Sequence, residues 1–344
     1  MRGWTDNLYA SRYQMGNMLS NARILVTGGA GFIGSNICDA LIEAGSEVVC
    51  LDNFLTGRRE NIEHLLDDSK FTLIEGDIRD LETCQSAIAG CTHVCHQAAL
   101  GSVPRSVEEP KTTNAINISG NLNVLIAAQE AGIQRFVFAS SSSVYGSDAT
   151  LPKIEHSTGT PLSPYAVTKM VNESYAQVFH QIHGMETIGL RYFNVFGRRQ
   201  DPEGQYAAVI PKFVESILQS ESPVVFGDGE QTRDFTYIDN VVQMNLNALA
   251  TTNPNTFGEI YNVAYGSRIS INNLFVSIRT LLSKFDPSCL SVEATYVDER
   301  PGDIRHSLAN IDKAISHLNY SPQYDCQQGL QEAMSWYWNS LRGD

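Results

Sequence analysis

The chain has 344 residues, 42% of them apolar, which suits one large domain or a nucleotide domain with a smaller lobe. Its formal charge of −14 disfavours lasting contact with nucleic acid or anionic lipid, and an anionic substrate needs its own local arginines. The seven cysteines are odd in number and scattered through segments of core character, which points to reduced thiols and a cytoplasmic protein rather than a disulfide framework.

Residues 1–22 carry Trp4, Tyr9, Arg12 and Tyr13 without an apolar run. They read as a polar extension on the surface, not a signal peptide, and no stretch of the chain is long enough to span a membrane. Arg23-Ile24-Leu25-Val26-Thr27 is a β-branched apolar run that stops at glycines, the pattern of a buried parallel strand. A helix is expected over 32–44, with Ile33, Ile37 and Leu41 on one face and Gly45 as its stop. Further strands are expected at 47–51, 71–75, 93–96, 135–139 and 187–191, and helices at about 80–89, 107–131 and 164–183. This alternation predicts an α/β fold built on a doubly wound parallel Rossmann sheet with right-handed crossovers.

After Asn194 the rhythm loosens. A helix at 209–218, a strand at 223–226, a short strand and helix at 235–249, a strand at 259–263 and helices at 272–282 and 313–318 are expected. There is no internal repeat or obvious linker. The reading is an extension at 1–22, a nucleotide-binding domain at 23–193 with a returning segment at about 235–263, and a smaller C-terminal α/β substrate lobe made mainly from 194–344. That lobe is expected on the carboxyl ends of the strands, where open α/β sheets bind ligands.

Thr27-Gly28-Gly29-Ala30-Gly31-Phe32-Ile33-Gly34 joins the first strand to the first helix. Gly28 permits the tight turn, Gly31 lets a pyrophosphate approach the backbone, and Gly34 lets helix and strand pack closely. The helix N-terminus then offers free N–H groups and a positive dipole end to the phosphates. Asp52 ends the second strand, where a carboxylate accepts from ribose hydroxyls and repels a 2′-phosphate, favouring NAD over NADP. Arg58 and Arg59 nearby read as a solvated pair. Asp77 and Ile78 follow the third strand and suit the adenine edge, and Gln97-Ala98-Ala99 is small enough to lie under the cofactor. Cys91-x-x-x-Cys95-His96 runs into an apolar segment with no second ligand pair, so no metal is expected.

Ser163-Pro164-Tyr165-Ala166-Val167-Thr168-Lys169 opens the helix at 164–183, with Ser163 as N-cap and Pro164 in the first turn. Tyr165 and Lys169 share one helical face. An ammonium beside a phenol lowers its pKa and makes it a base near neutral pH. Ser140-Ser141-Ser142-Ser143 follows the fifth strand, at the sheet edge where reacting atoms belong. A hydroxyl there bridges Tyr165 to a substrate hydroxyl. No Asp or Glu stands in this run, which argues against water elimination and for simple hydride transfer.

Gly28 to Gly34, Ser141, Tyr165, Lys169 and Arg191-Tyr192-Phe193-Asn194 together resemble the extended short-chain dehydrogenase/reductases that act on nucleotide sugars. Within them the chain looks most like the UDP-N-acetylhexosamine 4-epimerases. The stretches that carry this are Gln97 to Ser106, Gly197 to Pro202 with Tyr206 to Pro211, and Gly302 to Leu308. The resemblance implies Tyr165, Lys169 and Ser141 as catalytic residues. It implies Phe32, Ile33, Asn53, Gly57, Asn117, Ser140 and Tyr192 beside the NAD, along with the residues above. It implies Asn194, Ala208, Val209 and Phe226 around the uridine diphosphate, Arg233 and Arg300 on the pyrophosphate, and Gly101, Ser102, Ser142, Asp303 and Ser307 around the sugar. A small Ser307, where galactose-type bacterial members carry tyrosine, leaves room for a 2-acetamido group.

The expected reaction is C4 epimerisation of UDP-GlcNAc and UDP-GalNAc through a transient 4-keto sugar, with NAD retained. A homodimer through the helices at about 107–131 and 164–183 is implied by the resemblance alone. The alternatives are a 4-epimerase of UDP-glucuronate or of a UDP-N-acetylhexosaminuronate, a nucleotide-sugar dehydratase, and a non-catalytic NAD-binding protein.

Overall fold

The computed structural model describes residues 18–201, 208–299 and 304–342. Expectations for residues 1–17, for Tyr206 and for Arg300 and Asp303 therefore fall outside the described residues. Seven parallel strands form the main sheet: β1 (Arg23–Thr27), β2 (Glu47–Asp52), β3 (Phe71–Glu75), β4 (His93–His96), β5 (Arg135–Ser141), β6 (Glu186–Tyr192) and β7 (Glu259–Val263). Their order is β7-β6-β5-β4-β1-β2-β3. The chain reverses direction across the sheet between β1 and β4, and the crevice at that point is where such sheets bind ligands.

The strands form because both of their faces are covered. Ile24, Leu25 and Val26 have no exposed surface, and burying such side chains stabilises the fold by about 1.5–3 kcal/mol each. One face packs on α1 (Phe32–Glu43), α6 (Ile238–Ala250) and elements from the C-terminal part of the chain. The other packs on α2 (Leu81–Ile88), α3 (Asn121–Glu130) and α4 (Pro164–His183). The strand at Glu259–Val263, though late in sequence, pairs in register with β6 from Glu259↔Ile188 to Val263↔Tyr192.

The single helix expected at 107–131 is several pieces. Val103–Glu108 and Pro110–Asn114 are separate turns, Ala115–Gly120 is a π-helical turn, and α3 follows. Pro110 lacks an N–H, and the residue before it, Glu109, is driven to φ −124° and ψ 61°, so the helix breaks there. The C-terminal part of the chain contains α5 (Val209–Leu218), α7 (Ile271–Leu282), α8 (Asp312–Leu318) and α9 (Cys326–Arg342). The last of these was not expected. Short strands at Thr232–Arg233, Ile269–Ser270 and Thr295–Val297 were also missed, because two- and three-residue strands carry no readable period. All seven cysteines are free thiols, and no helix among the described residues is long and apolar enough to cross a membrane.

Candidate active site

The glycine turn after β1 is built as its spacing requires. Gly28 sits at φ 68°, and a Cβ there would lie 2.7 Å from the Ala98 nitrogen. Gly31 N donates to Gly28 O at 3.1 Å, and Gly31 caps α1 without a side-chain bond. The first-turn N–H groups are thus not taken by a capping side chain and remain available to an anion. At Gly34 a Cβ would lie 2.1 Å from Gly28 O, so only glycine lets the helix approach the turn.

A cavity of about 310 Å³ opens at this turn. Of the expected cofactor residues, Gly28, Gly31, Phe32, Ile33, Asp52, Asn53, Gly57, Asp77, Ile78, Gln97, Ala98, Ala99, Ser140, Tyr165, Lys169 and Tyr192 line it. Gly101, expected at the sugar, also lines it, together with Leu51, Leu100 and Ile116, which were not foreseen. A glycine cradle that a Cβ would fill, in a cavity that also reaches Asp52 and Tyr165, fits a dinucleotide.

Asp52 is only 7% exposed. Its Oδ2 accepts from Ala30 N at 2.9 Å and its Oδ1 from Phe54 N at 2.8 Å. Burial pushes its carboxyl up, and these N–H bonds oppose the shift. The carboxylate therefore holds the glycine turn to the β2 end as well as facing the cleft. Arg58 pairs with Asp201 and Arg59 with Glu75, at 2.8 and 2.6 Å. Asp77 accepts from Asn53 Nδ2 at 2.8 Å and from Arg79, which holds its carboxyl down at about 2.

Two asparagines shape the floor. Asn117 does not line the cavity. Its Oδ1 accepts from Leu100 N at 2.8 Å, and its Nδ2 donates to Leu100 O at 3.1 Å and Thr168 Oγ1 at 3.2 Å. Asn117 thus fixes the loop after β4 against α4. Asn245 on α6 was missed. It donates to the Tyr192 hydroxyl at 2.9 Å, and that hydroxyl donates to Gln97 Oε1 at 3.0 Å. Its only sequence signal is a polar residue on an otherwise apolar helix face. His96 lies beside Thr27 Oγ1 at 2.7 Å, and burial pushes its imidazole down to about 3.

The start of α4 follows its sequence. Ser163 Oγ accepts from Ala166 N at 3.1 Å. Tyr165 N donates to the buried hydroxyl of Ser106 at 3.1 Å, a second anchor from the loop side. Lys169 Nζ lies 5.9 Å from the centre of the Tyr165 ring and donates to Ala139 O at 2.8 Å. Burial pushes the Tyr165 phenol up, and the neighbouring Ser141 hydroxyl opposes this. The expected near-neutral phenol is therefore not what this arrangement alone produces, because desolvation of the anion outweighs the effect of the Ser141 hydroxyl. Burial pushes the Lys169 ammonium down to about 8, and the Glu173 carboxylate opposes this.

Apart from Gly101 and Tyr165, the expected substrate residues lie elsewhere. Ser102 Oγ accepts from Arg105 N at 3.2 Å and caps Val103–Glu108, and Ser142 begins the turn after β5. Asn194 Nδ2 donates to Asp234 O at 3.0 Å. Ala208 is the N-cap of α5, Val209 its first residue, and Phe226 ends the strand Val224–Phe226. Ser307 N donates to Thr232 O at 3.0 Å, next to Arg233, whose Nη1 donates to the same carbonyl. The fold thus brings Arg233 and Ser307 together. None of Asn194, Ala208, Val209, Phe226, Arg233 and Ser307 lines the cavity above.

A family model described as the NAD dependent epimerase/dehydratase family matches residues 24–264. A protein of Methanocaldococcus jannaschii named putative UDP-glucose 4-epimerase is 40% identical over 321 residues, covering 93% of this chain and 99% of that protein. Among solved structures, a UDP-N-acetylglucosamine 4-epimerase from Methanobrevibacter ruminantium, in complex with UDP-N-acetylmuramic acid, matches with TM-score 0.86 and 40% identity over 93% and 99% of the two chains. A UDP-glucuronic acid 4-epimerase from Bacillus cereus, in complex with UDP-glucuronic acid and NAD, matches with TM-score 0.83 and 32% identity over 92% and 99%.

Proposed function

This chain belongs to the NAD dependent epimerase/dehydratase family, and from that premise we propose that it is a cytoplasmic UDP-sugar 4-epimerase acting on UDP-GlcNAc and UDP-GalNAc. The observation that supports this is Tyr165 with Lys169 beside it in the lining of the cavity at the glycine turn, Ser141 neighbouring the phenol, and no carboxyl group in the Ser140–Ser143 run. Bound NAD would supply the acceptor and donor of a hydride at C4. Tyr165 takes and later returns the O4 proton, and Ser141 relays it. Lys169 holds the phenolate. Asp52, Asp77 and Gln97 hold the cofactor, and Arg233 supplies a guanidinium fork to the pyrophosphate of the sugar nucleotide.

The relative from Methanobrevibacter ruminantium carries the acetamido sugar in its name, and Ser307 is small enough to admit that group. Purified protein incubated with UDP-GlcNAc, UDP-galactose or UDP-glucuronate, without added NAD, tests the reading by NMR of the product C4 configuration. Conversion of UDP-GlcNAc with the highest kcat/KM supports it. Preferential turnover of UDP-glucuronate favours the second reading, which rests on the Bacillus cereus relative. Ser307→Tyr is expected to lower kcat/KM for UDP-GalNAc on the order of tenfold more than for UDP-galactose. Equal losses on both would remove the size argument.

The pH dependence has a defined sign. Lys169 is charged below about 8 and loses its proton above. Because its role requires the ammonium, kcat is expected to fall as pH rises past that point. A kcat that keeps rising to pH 10 would show that the charge is not needed. The assembly we propose is a homodimer through α4 and the helical segment before it. Val167, Val178 and Ile182 lie along one face of α4 and are exposed, Ile182 to 70%, with Val103 and Val107 also exposed. An exposed apolar stripe of this kind marks a contact surface.

A further inference from the structure

Three consecutive residues of β5 meet three residues of α4 placed one helical turn apart. Ala139 O accepts from Lys169 Nζ at 2.8 Å. Ser140 Oγ donates to Glu173 Oε1 at 2.5 Å. Ser141, the third, neighbours the Tyr165 phenol and lowers its pKa. Glu173 also receives both forks of Arg191 from β6, Nε on Oε1 and Nη2 on Oε2, each at 2.8 Å. Both side chains are largely buried, at 5% and 13% exposure for Arg191 and Glu173.

We propose that Glu173 is a positioning residue of the reaction: its carboxylate locks the strand end carrying Ser141 and the helix carrying Tyr165 and Lys169 into one rigid frame. The inference rests on the epimerase reading above. A carboxylate shared by three elements fixes the spacing between Ser141 and Tyr165 without touching either, and misplacement of a reacting group by 1 Å is costly. Arg191 offsets part of the carboxylate's field, and the net effect of Glu173 on Lys169 is still to hold the ammonium charged. Its Nη1 donates to Glu155 O at 2.9 Å, and it stacks 4.8 Å over Tyr145. The other titratable groups around this frame are His96 from β4, which burial keeps neutral, and Tyr145, whose phenol burial pushes up to about 12. Lys169 therefore has Glu173 as the carboxylate that keeps it charged.

The test uses NAD-loaded protein with ¹³C-labelled lysine, the Lys169 signal being assigned by its loss in Lys169→Met. In Glu173→Gln the Lys169 titration midpoint is expected to fall by at least about half a pH unit, and the alkaline limb of kcat to move with it. An unchanged or raised midpoint overturns the proposal. Breaking a buried ion pair can unfold a domain, so Ser140→Ala is made in parallel. It removes one bond of the frame and leaves the Glu173–Arg191 pair intact. It is expected to keep its melting temperature and NAD content while kcat falls on the order of tenfold and KM stays unchanged. Wild-type kcat in Ser140→Ala overturns the proposal, and so does a loss that tracks melting temperature or NAD content alone, since Ser140 also lines the cofactor cavity. If the wild type turns over no UDP-sugar, the functional reading fails, while the lysine titration still judges Glu173.

Discussion

Tyr165→Phe is expected to lower UDP-GlcNAc epimerisation by about 100- to 10,000-fold, the span of a lost general acid–base. The substitution removes one hydroxyl and nothing else. The ring stays against the cleft, where Tyr165 is part of the lining, and the helix start keeps its Ser163 cap and its Ser106 anchor through backbone N–H groups. NAD content and melting temperature should therefore match the wild type, since the net worth of one hydrogen bond is about 1 kcal/mol. The assay pairs turnover with nucleotide released on denaturation. Undiminished turnover would remove Tyr165 from the chemistry. Loss of both turnover and NAD would make it a binding residue instead.

Gly34→Ala is the second large effect. The added methyl would sit 2.1 Å from Gly28 O, 2.8 Å from Gly28 C and 2.9 Å from Gly29 Cα. All three are backbone atoms of the turn, so no side chain can swing aside. Either α1 lifts from the turn or the turn opens, and overpacking of this kind costs about 1–3 kcal/mol. Both routes spoil the N–H cradle, so NAD occupancy on purification should collapse. Gly184→Ala is the control. That residue is at φ 67° after α4 and faces open space. It should lose about 1 kcal/mol of stability through backbone strain and keep its NAD. Full NAD occupancy in Gly34→Ala would show that the cofactor does not depend on this turn.

The expectations that succeeded share a local cause. Ser163 caps α4, Tyr165 and Lys169 share a face, and the glycines fold between β1 and α1, because each depends on residues within two turns of one another. The helix expected at 107–131 failed for a reason also written locally: Pro110 interrupts the ladder, and an apolar period alone does not weigh that. The arginines after β2 show the opposite case. Arg58 and Arg59 read as solvated and are 46% and 56% exposed, but they also pair with Asp201 and Glu75. Only the fold brings residues 58 and 201 together.

The sequence by itself determined the parallel sheet, the nucleotide turn, the cofactor class and the Tyr165–Lys169 pair, since hydrophobic period, glycine spacing and helical pitch are short-range properties. Tertiary structure alone decided what surrounds them. It placed Asn245 under Tyr192 from 53 residues away, put Asn117 to work on Leu100, and set Arg191 and Ser140 on the Glu173 carboxylate. It also decided that burial holds the Tyr165 phenol above its ordinary pKa, because desolvation depends on every element packed around the group, and no pair of residues along the chain encodes that sum.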